Sequence, residues 1–533
     1  MNFLGQLITQ LSVRQLIVFA LALCLGAFLA NLGAVAFIGD EAIRALVAFE
    51  MHKTGDFIVP TLNGQEYYNK PPLYNWLIYA NSMLFGSFGE WPSRMTTLIF
   101  LAAFGYTVYY YARKHFDVLT SATLAFMLVT SGRILFWDSM LGLIDICFSW
   151  IIFLQWMILY HTGRDGRWRT FFILSYILFA LAFLLKGLPA VVFHGLSLPA
   201  ALFFHKEFQK KFISIDHMLG ILAGVCILLA YYIPYAERVS LQNVFAVLFD
   251  QSMQRTGTHH GIMKTILHLF TFPLEQFYHF LPWTILLIPV FVPGFRKRMQ
   301  ENSFFQFSVL MFVVNIPVYW ISVQVYPRYL LMFLPLLHLA GYYLLAHGKD
   351  IPVWIPKTIR GIFIAMIVLA FLATLGMGIY QPIRSVPYFP WIWIGGSILM
   401  AFCLTGIWFE KTKWILWMCI SLLAVRTIFN MTVLPLRATE FTENKSREDI
   451  RRLASIHGDH PWVLYGETET HQVARFYTSL YSDQVIRKVT TVTDNNTYYI
   501  VDKNIYPDLP LVVIDSFILE RNQVLHLMKT QPD

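Results

Sequence analysis

Charge is scarce in this 533-residue sequence: Asp, Glu, Lys and Arg make up 14% of it, against 57% hydrophobic and 17% aromatic residues. So little polar surface cannot enclose a water-soluble globule of this length, and lipid must be the main solvent. A mean hydropathy of +0.54 agrees. Cysteine is sparse too. The five cysteines, Cys24, Cys147, Cys226, Cys403 and Cys419, all lie inside apolar runs and show no metal-ligand spacing, which argues against disulfides and thiol catalysis. The net charge of +8 is not spread along one face, because Lys and Arg come in short clusters between apolar runs. No nucleic-acid partner is expected. Internal repeats and broken-helix signals are missing, and the first apolar run lacks a small-residue cleavage site, so it reads as a retained helix.

What is present is a succession of apolar runs of spanning or near-spanning length. They cover residues 14–36, 94–111, 118–132, 140–160, 170–185, 188–204, 218–235, 277–295, 304–323, 329–346, 361–380, 391–408 and 414–434. The fold class expected is an all-α polytopic membrane protein with about 13 transmembrane helices. An odd count puts the termini on opposite sides. With the N-terminus inside, the cytoplasmic turns carry Arg113, Lys114, Arg164, Arg167, Arg169, Lys206, Lys210, Lys211, Arg296, Lys297, Arg298, Lys349, Lys357, Arg360, Lys411 and Lys413. The opposite short turns hold only Arg133, Lys186, Arg328 and Arg384. This asymmetry sets the orientation in a bacterial inner membrane, N-terminus cytoplasmic.

Two segments, 37–93 and 236–276, then fall outside and are too long for turns. Residues 1–436 form the membrane domain. From 437 to 533 the pattern changes to strand-like runs (462–465, 498–501, 511–514) separated by helix-capable stretches such as 469–480, which predicts a small extracytoplasmic α/β domain.

The candidate chemical residues are few. Gly39-Asp40-Glu41 sets two carboxylates at the membrane surface, where solvated carboxylates are also ordinary. In the stretch from Tyr67 to Trp76, Lys70 is a lone cation among aromatics before Pro71-Pro72; it suits a phosphate near an apolar tail, or an interfacial aromatic belt. Asp138 and Asp145 flank the external start of the fourth span, and a continuous helix would set them on one face. Asp138, at the water boundary, is the better chemical candidate; Asp145, deeper, suits a structural hydrogen bond. Which of them serves the site stays open at this point. Lys186 and Arg328 are isolated cations at external helix ends, where snorkelling is the plain alternative. Arg255, His259 and His260 sit in the second long segment, most simply as a solvated loop, with metal binding as the sharper option. All these groups map to one membrane face under a topology derived without them. Carboxylates can deprotonate a nucleophile or hold a metal, and cations can stabilise a departing phosphate.

The ordered motifs Gly39-Asp-Glu, Gly55-Asp-Phe-Ile-Val-Pro-Thr-Leu-Asn-Gly64, Tyr68-Asn-Lys-Pro-Pro72, Trp76, Phe85-Gly86 and Trp91-Pro-Ser-Arg94 resemble the aminoarabinose transferase and protein O-mannosyltransferase families. The likeness continues through Arg133 to Asp138, Leu185-Lys-Gly187, Arg255, Pro282-Trp283 and Arg328-Tyr329. It implies a C-type glycosyltransferase fold and a polyprenyl-phosphate sugar donor. The acceptor it implies is a lipid, glycan or protein, with lipid A modification among the roles. By position, Asp40 matches the catalytic Asp and Asp138 the second acidic residue. Lys70 matches the donor-phosphate Lys, and Lys186, Arg255 and Arg328 match basic positions near the donor. Glu41, Asp145, Tyr68 and His260 count as supporting. A divalent metal ion is the one cofactor the resemblance leaves open, since Asn69 replaces the acidic residue implicated in metal binding; no organic cofactor is expected. A membrane transporter or lipid-linked sugar flippase is the rival reading.

Overall fold

The structure, a computed structural model, describes residues 6, 8–253, 262–347, 351–492, 496–519 and 523–531. Among the described residues eight helices are long and apolar enough to cross a membrane. The pair Val118–Val129 and Gly132–Met140, bent by 50°, adds a ninth, and Val13–Leu29 and Leu188–Phe204 are apolar but shorter. Helix Glu90–Ala112 is less apolar because Tyr106, Tyr109, Tyr110 and Tyr111 line its end. The apolar run 277–295 is not one α-helix: helix Ile262–His279 stops there and a 3-10 helix, Trp283–Phe291, follows. Pro282 and Pro289 explain the break, since each removes an N–H that a continuous α-helix would use. The remainder of segment 236–276 includes a second helix, Leu241–Met253.

The first and last membrane helices run parallel. Lys413 Nζ reaches the Leu11 carbonyl at 2.8 Å at one end, and Asn31 Nδ2 reaches the Asn430 carbonyl at 2.8 Å at the other. The chain therefore leaves the bundle at the end opposite to where it begins. Basic turns gather at the starting end, where the Tyr160 and Ser303 hydroxyls meet at 2.7 Å and His115 stacks on Phe304.

At the far end the segment 37–93 folds into a helix, a hairpin and a second helix. The helix Asp40–Thr54 starts after Gly39 (φ 56°) and stops at Gly55 (φ 70°), both in the left-handed region that glycine tolerates. Strands β1 (Thr61–Leu62) and β2 (Gln65–Glu66) form the hairpin. Glu50 clamps it by accepting bonds from the Thr61 hydroxyl (2.7 Å) and the Asn63 (2.6 Å) and Gly64 (3.1 Å) amides. Burial raises the Glu50 carboxyl above its ordinary pKa despite these donors and nearby Arg487.

The C-terminal region is the expected α/β unit. Strands β3 (Trp462–Tyr465), β4 (Arg487–Val489), β5 (Tyr498–Val501), β6 (Val512–Ile518) and β7 (Val524–Lys529) form one sheet in the order β4-β3-β5-β7-β6. β3 runs parallel to β4 and β5; β7 is antiparallel to β5 and β6. Its core is shared with the segment 37–93: Phe37, Ala42, Ala45, Leu46 and Phe49 pack with Ile450, Leu453, Trp462, Phe476 and Leu527. Glu90 ties the two together, pairing with Arg447 at 2.7 Å and accepting the Tyr477 hydroxyl.

Candidate active site

Asp40 opens its helix, and its carboxylate is the most accessible of the acidic candidates, with 58% of the side chain exposed. Arg328 Nη2 holds it at 3.0 Å. The same guanidinium places Nε 3.3 Å from Asp145 Oδ2, a charge contact off the line of a hydrogen bond. Lys186 Nζ then bonds Asp145 Oδ1 at 2.6 Å and sits 3.9 Å from the ring centre of Tyr329. The result is one chain of charges, Asp40, Arg328, Asp145 and Lys186, exposed at Asp40 and buried at Lys186 and Asp145. Two anions and two cations balance, which is what tolerates their burial.

Local sequence sets this up from four elements. Asp145 lies in the first turn of helix Ile144–Arg164, Lys186 ends helix Trp168–Lys186, Arg328 follows Pro327 in the 3-10 helix Pro327–Phe333, and Asp40 begins its own helix. Acidic groups at helix starts and a cation at a helix end each suit the local dipole.

Asp138 and Asp145 do not share a helix face, contrary to the expectation from their spacing. Asp138 lies in a short 3-10 turn, and Leu141 and Leu143 are extended. Tertiary bonds pull the chain out of helix there: Gly142 N–H donates to Glu41 Oε2 at 2.8 Å, and the Leu141 carbonyl accepts from the Thr97 hydroxyl at 2.8 Å. Asp138 is buried against Arg133, whose Nε lies 3.3 and 3.2 Å from its two oxygens. It lies within electrostatic reach of Arg328 and Asp145 but outside their chain of contacts.

Glu41 is a buried strut. It pairs with Arg94 at 2.7 Å, and that guanidinium also donates to the carbonyls of Leu32, Val35 and Ala36, bracing the approach to Asp40. Lys70, half-buried, lines a cleft with Tyr67, Tyr68, Tyr231, Tyr232 and Tyr235; the Tyr68 hydroxyl donates to Glu66. Tyr74, in the first turn of the helix Leu73–Phe85, is buried on Thr97 within electrostatic reach of Asp145 and Glu41. Arg255, His259 and His260 lie outside the described residues. Sequence reasoning did not assign roles to Arg133, Tyr329 or Arg94; all three stand inside the quoted motifs Arg133 to Asp138, Arg328-Tyr329 and Trp91-Pro-Ser-Arg94, which is the local signal they carry.

The whole chain superposes on ArnT from Cupriavidus metallidurans bound to undecaprenyl phosphate with a TM-score of 0.70, covering 98% of this chain and 100% of that one at 17% identity. It has the ArnT fold. The apo state of the same ArnT gives a TM-score of 0.67. Residues 69–233 match the dolichyl-phosphate-mannose-protein mannosyltransferase family. Two uncharacterized proteins of Aquifex aeolicus are similar in sequence. One is 25% identical over 290 residues, 52% of this chain and 56% of its own length; the other is 26% identical over 362 residues, 65% and 75%. The chain thus spans little more than half the length of the first. At the level of fold and matched family, the resemblance to polyprenyl-phosphate glycosyltransferases read from the motifs is borne out, and so is the α-helical membrane architecture with a small C-terminal sheet.

Proposed function

We propose that this chain transfers a sugar from a polyprenyl-phosphate donor to a lipid, glycan or protein acceptor on the extracytoplasmic face of the membrane. The observation that carries the reading is the Asp40, Arg328, Asp145, Lys186 chain, which presents one accessible carboxylate backed by two cations. In ArnT-like geometry the donor phosphate approaches Arg328 and Lys70, and Arg328 exchanges a carboxylate for a phosphate oxygen. Asp40, released from Arg328, accepts the proton of the acceptor hydroxyl or amine as that atom attacks the anomeric carbon. The bond from carbon to phosphate oxygen breaks, its electron pair leaves with the phosphate, and the carbon inverts. Lys186 keeps Asp145 in place, and Asp145 keeps Arg328 aimed. Asp138, held by Arg133 and within electrostatic reach of Arg328 and Asp145, serves as the second acidic group, Arg255 keeps the donor-side role that the resemblance implies, and His260 a supporting one.

No step runs through a metal. Position 69 is Asn, and among the described residues no three His, Cys, Asp or Glu side chains converge. Added chelator should therefore leave transfer within about twofold of its starting rate, since removal of a catalytic metal would take away far more.

A positioned base contributes roughly 10² to 10⁴-fold. Asp40→Asn should cut transfer from a labelled polyprenyl-phosphate sugar by at least about a hundredfold in reconstituted membranes, with protein level and unfolding temperature unchanged. Transfer near the normal rate removes the mechanism. A flippase would move the labelled lipid across the bilayer without consuming it, and the same assay reads that difference.

A further inference from the structure

The C-terminal domain holds a cavity of about 180 Å³ that the transfer reading does not use. It opens at the seam between the domain and the β1–β2 hairpin. Asn63 and Gln65 form one wall, Thr468, Thr470 and Arg475 another, and Phe517 lies among the apolar residues of the lining.

Its position follows from the topology. β3 and β5 are parallel neighbours, but the chain leaves β3 towards β4 on one side and leaves β5 towards β6 on the other. The carboxyl ends of such a pair leave a crevice between diverging connections, the place where open parallel sheets take their ligands. Here that crevice is shaped by specific contacts. Gly466 (φ 59°) turns the chain under the Tyr506 hydroxyl, where a Cβ would come within 2.2 Å. The Thr468 hydroxyl accepts the Asp502 amide at 3.2 Å, and the helix Gln472–Tyr481 starts beside the opening with its positive end.

Arg475 decides the chemistry. Its Nε donates to Thr470 Oγ1 at 2.6 Å, and burial lowers the guanidinium pKa, with Glu469 only partly opposing. No ion pair with a carboxylate is formed by it among the described residues. Lys488 on β4 supplies a second cation at the rim, 3.1 Å from Glu467. Glu467 and Glu469 also line the cavity, the first held by Lys488. Hydroxyl and amide groups on the walls, a phenyl ring in the lining and a guanidinium in no ion pair among the described residues match a pyranose that carries an acidic group. The volume lies below the roughly 300–1,000 Å³ of drug-sized sites, so it takes one ring.

The geometry points to a second carbohydrate site: the seam between the hairpin and the C-terminal sheet binds a single acidic sugar unit, with Arg475 on its carboxylate or phosphate. The site is independent of the Asp40 chemistry. Because Glu50 anchors the hairpin to the Asp40 helix, an occupant there bridges the domain and the element that bears Asp40.

The test uses the full chain in nanodiscs, with glucuronate, glucose 6-phosphate, glucose and inorganic phosphate as probes in saturation-transfer NMR. The two acidic sugars should bind and glucose should bind at least about tenfold more weakly, since a charge-assisted contact is lost. Arg475→Gln should weaken the acidic sugars by about tenfold or more. Gln65→Trp, an exposed change that fills the cavity from the opposite wall, should abolish binding with the unfolding temperature unchanged. Asp40→Asn should leave binding as it is, which separates this site from the transfer reaction. Equal binding of glucose, binding of phosphate as tight as that of the sugar phosphate, or retention of binding in Gln65→Trp would each overturn the assignment.

Discussion

Asp145 carries more of the candidate site than its depth in the sequence implied. Its two oxygens meet Lys186 and Arg328, so losing its charge takes a carboxylate partner from each of two cations. Breaking a buried pair by removing one partner costs about 3–5 kcal/mol. Asp145→Asn should lower stability by about 3 kcal/mol, read by denaturant unfolding in detergent. Pairing Asp145→Leu with Lys186→Met should return most of that stability while transfer stays low, because apolar groups of similar size replace a buried pair at little cost but leave Arg328 unaimed. If the double variant recovers transfer, Asp145 and Lys186 have only a packing role. Asp40, Lys186 and Arg328 were legible in the sequence because each is an isolated charge at an apolar boundary. Asp145 was ranked second because it lies deeper than Asp138, and the shared helix face expected of the two fails at Leu141 to Leu143, a stretch bent by Glu41 and Thr97 from distant parts of the chain. Lys70 was legible in the same way as Arg328, yet the tyrosines of the seventh apolar run that share its cleft could not be: no local pattern links Tyr68 to Tyr231.

At the scale of elements, the helix Asp40–Thr54 is what joins the membrane domain to the C-terminal sheet. Its apolar face lies in the C-terminal core, its first residue faces Arg328, and its Glu50 holds the hairpin. The boundary near residue 437 was legible as a change of pattern, but the shared core was not, because Phe37 and Leu46 read equally well as part of an interfacial loop. The 3-10 segment Trp283–Phe291 was hidden for a different reason: apolarity alone marks membrane depth and does not distinguish a straight helix from one interrupted by prolines. Glu90 fastens this arrangement through Arg447 and Tyr477. A hydrogen bond to a charged group contributes about 1.5–3 kcal/mol, and Glu90→Ala removes two such partners at once. That variant should expose the junction near residue 441 to protease at least about tenfold faster and reduce transfer, while the membrane helices unfold at their usual temperature. Unchanged proteolysis would mean that the apolar core alone docks the domain.

For the molecule as a whole, the parallel first and last helices put the C-terminal sheet and the charge chain at one end of the bundle and the basic turns at the other. Helix Ile144–Arg164 connects the two with 21 residues, about 30 Å at 1.5 Å per residue, the thickness of a hydrocarbon core. The positive-inside rule predicts that the charge chain faces away from the cytoplasm. In intact cells a membrane-impermeant maleimide should label Asn504→Cys and leave Lys210→Cys unlabelled until the cells are opened; the reverse pattern would invert the topology. The central claim is that Asp40, Arg328, Asp145 and Lys186 form the place where a lipid phosphate is met. The most direct measurement is an experimental structure in nanodiscs with undecaprenyl phosphate added. The account predicts phosphate density within about 4 Å of Arg328 Nη atoms, ion-pair range, with Asp40 freed from that guanidinium. Phosphate bound elsewhere, with Arg328 still closed on both Asp40 and Asp145, would contradict it.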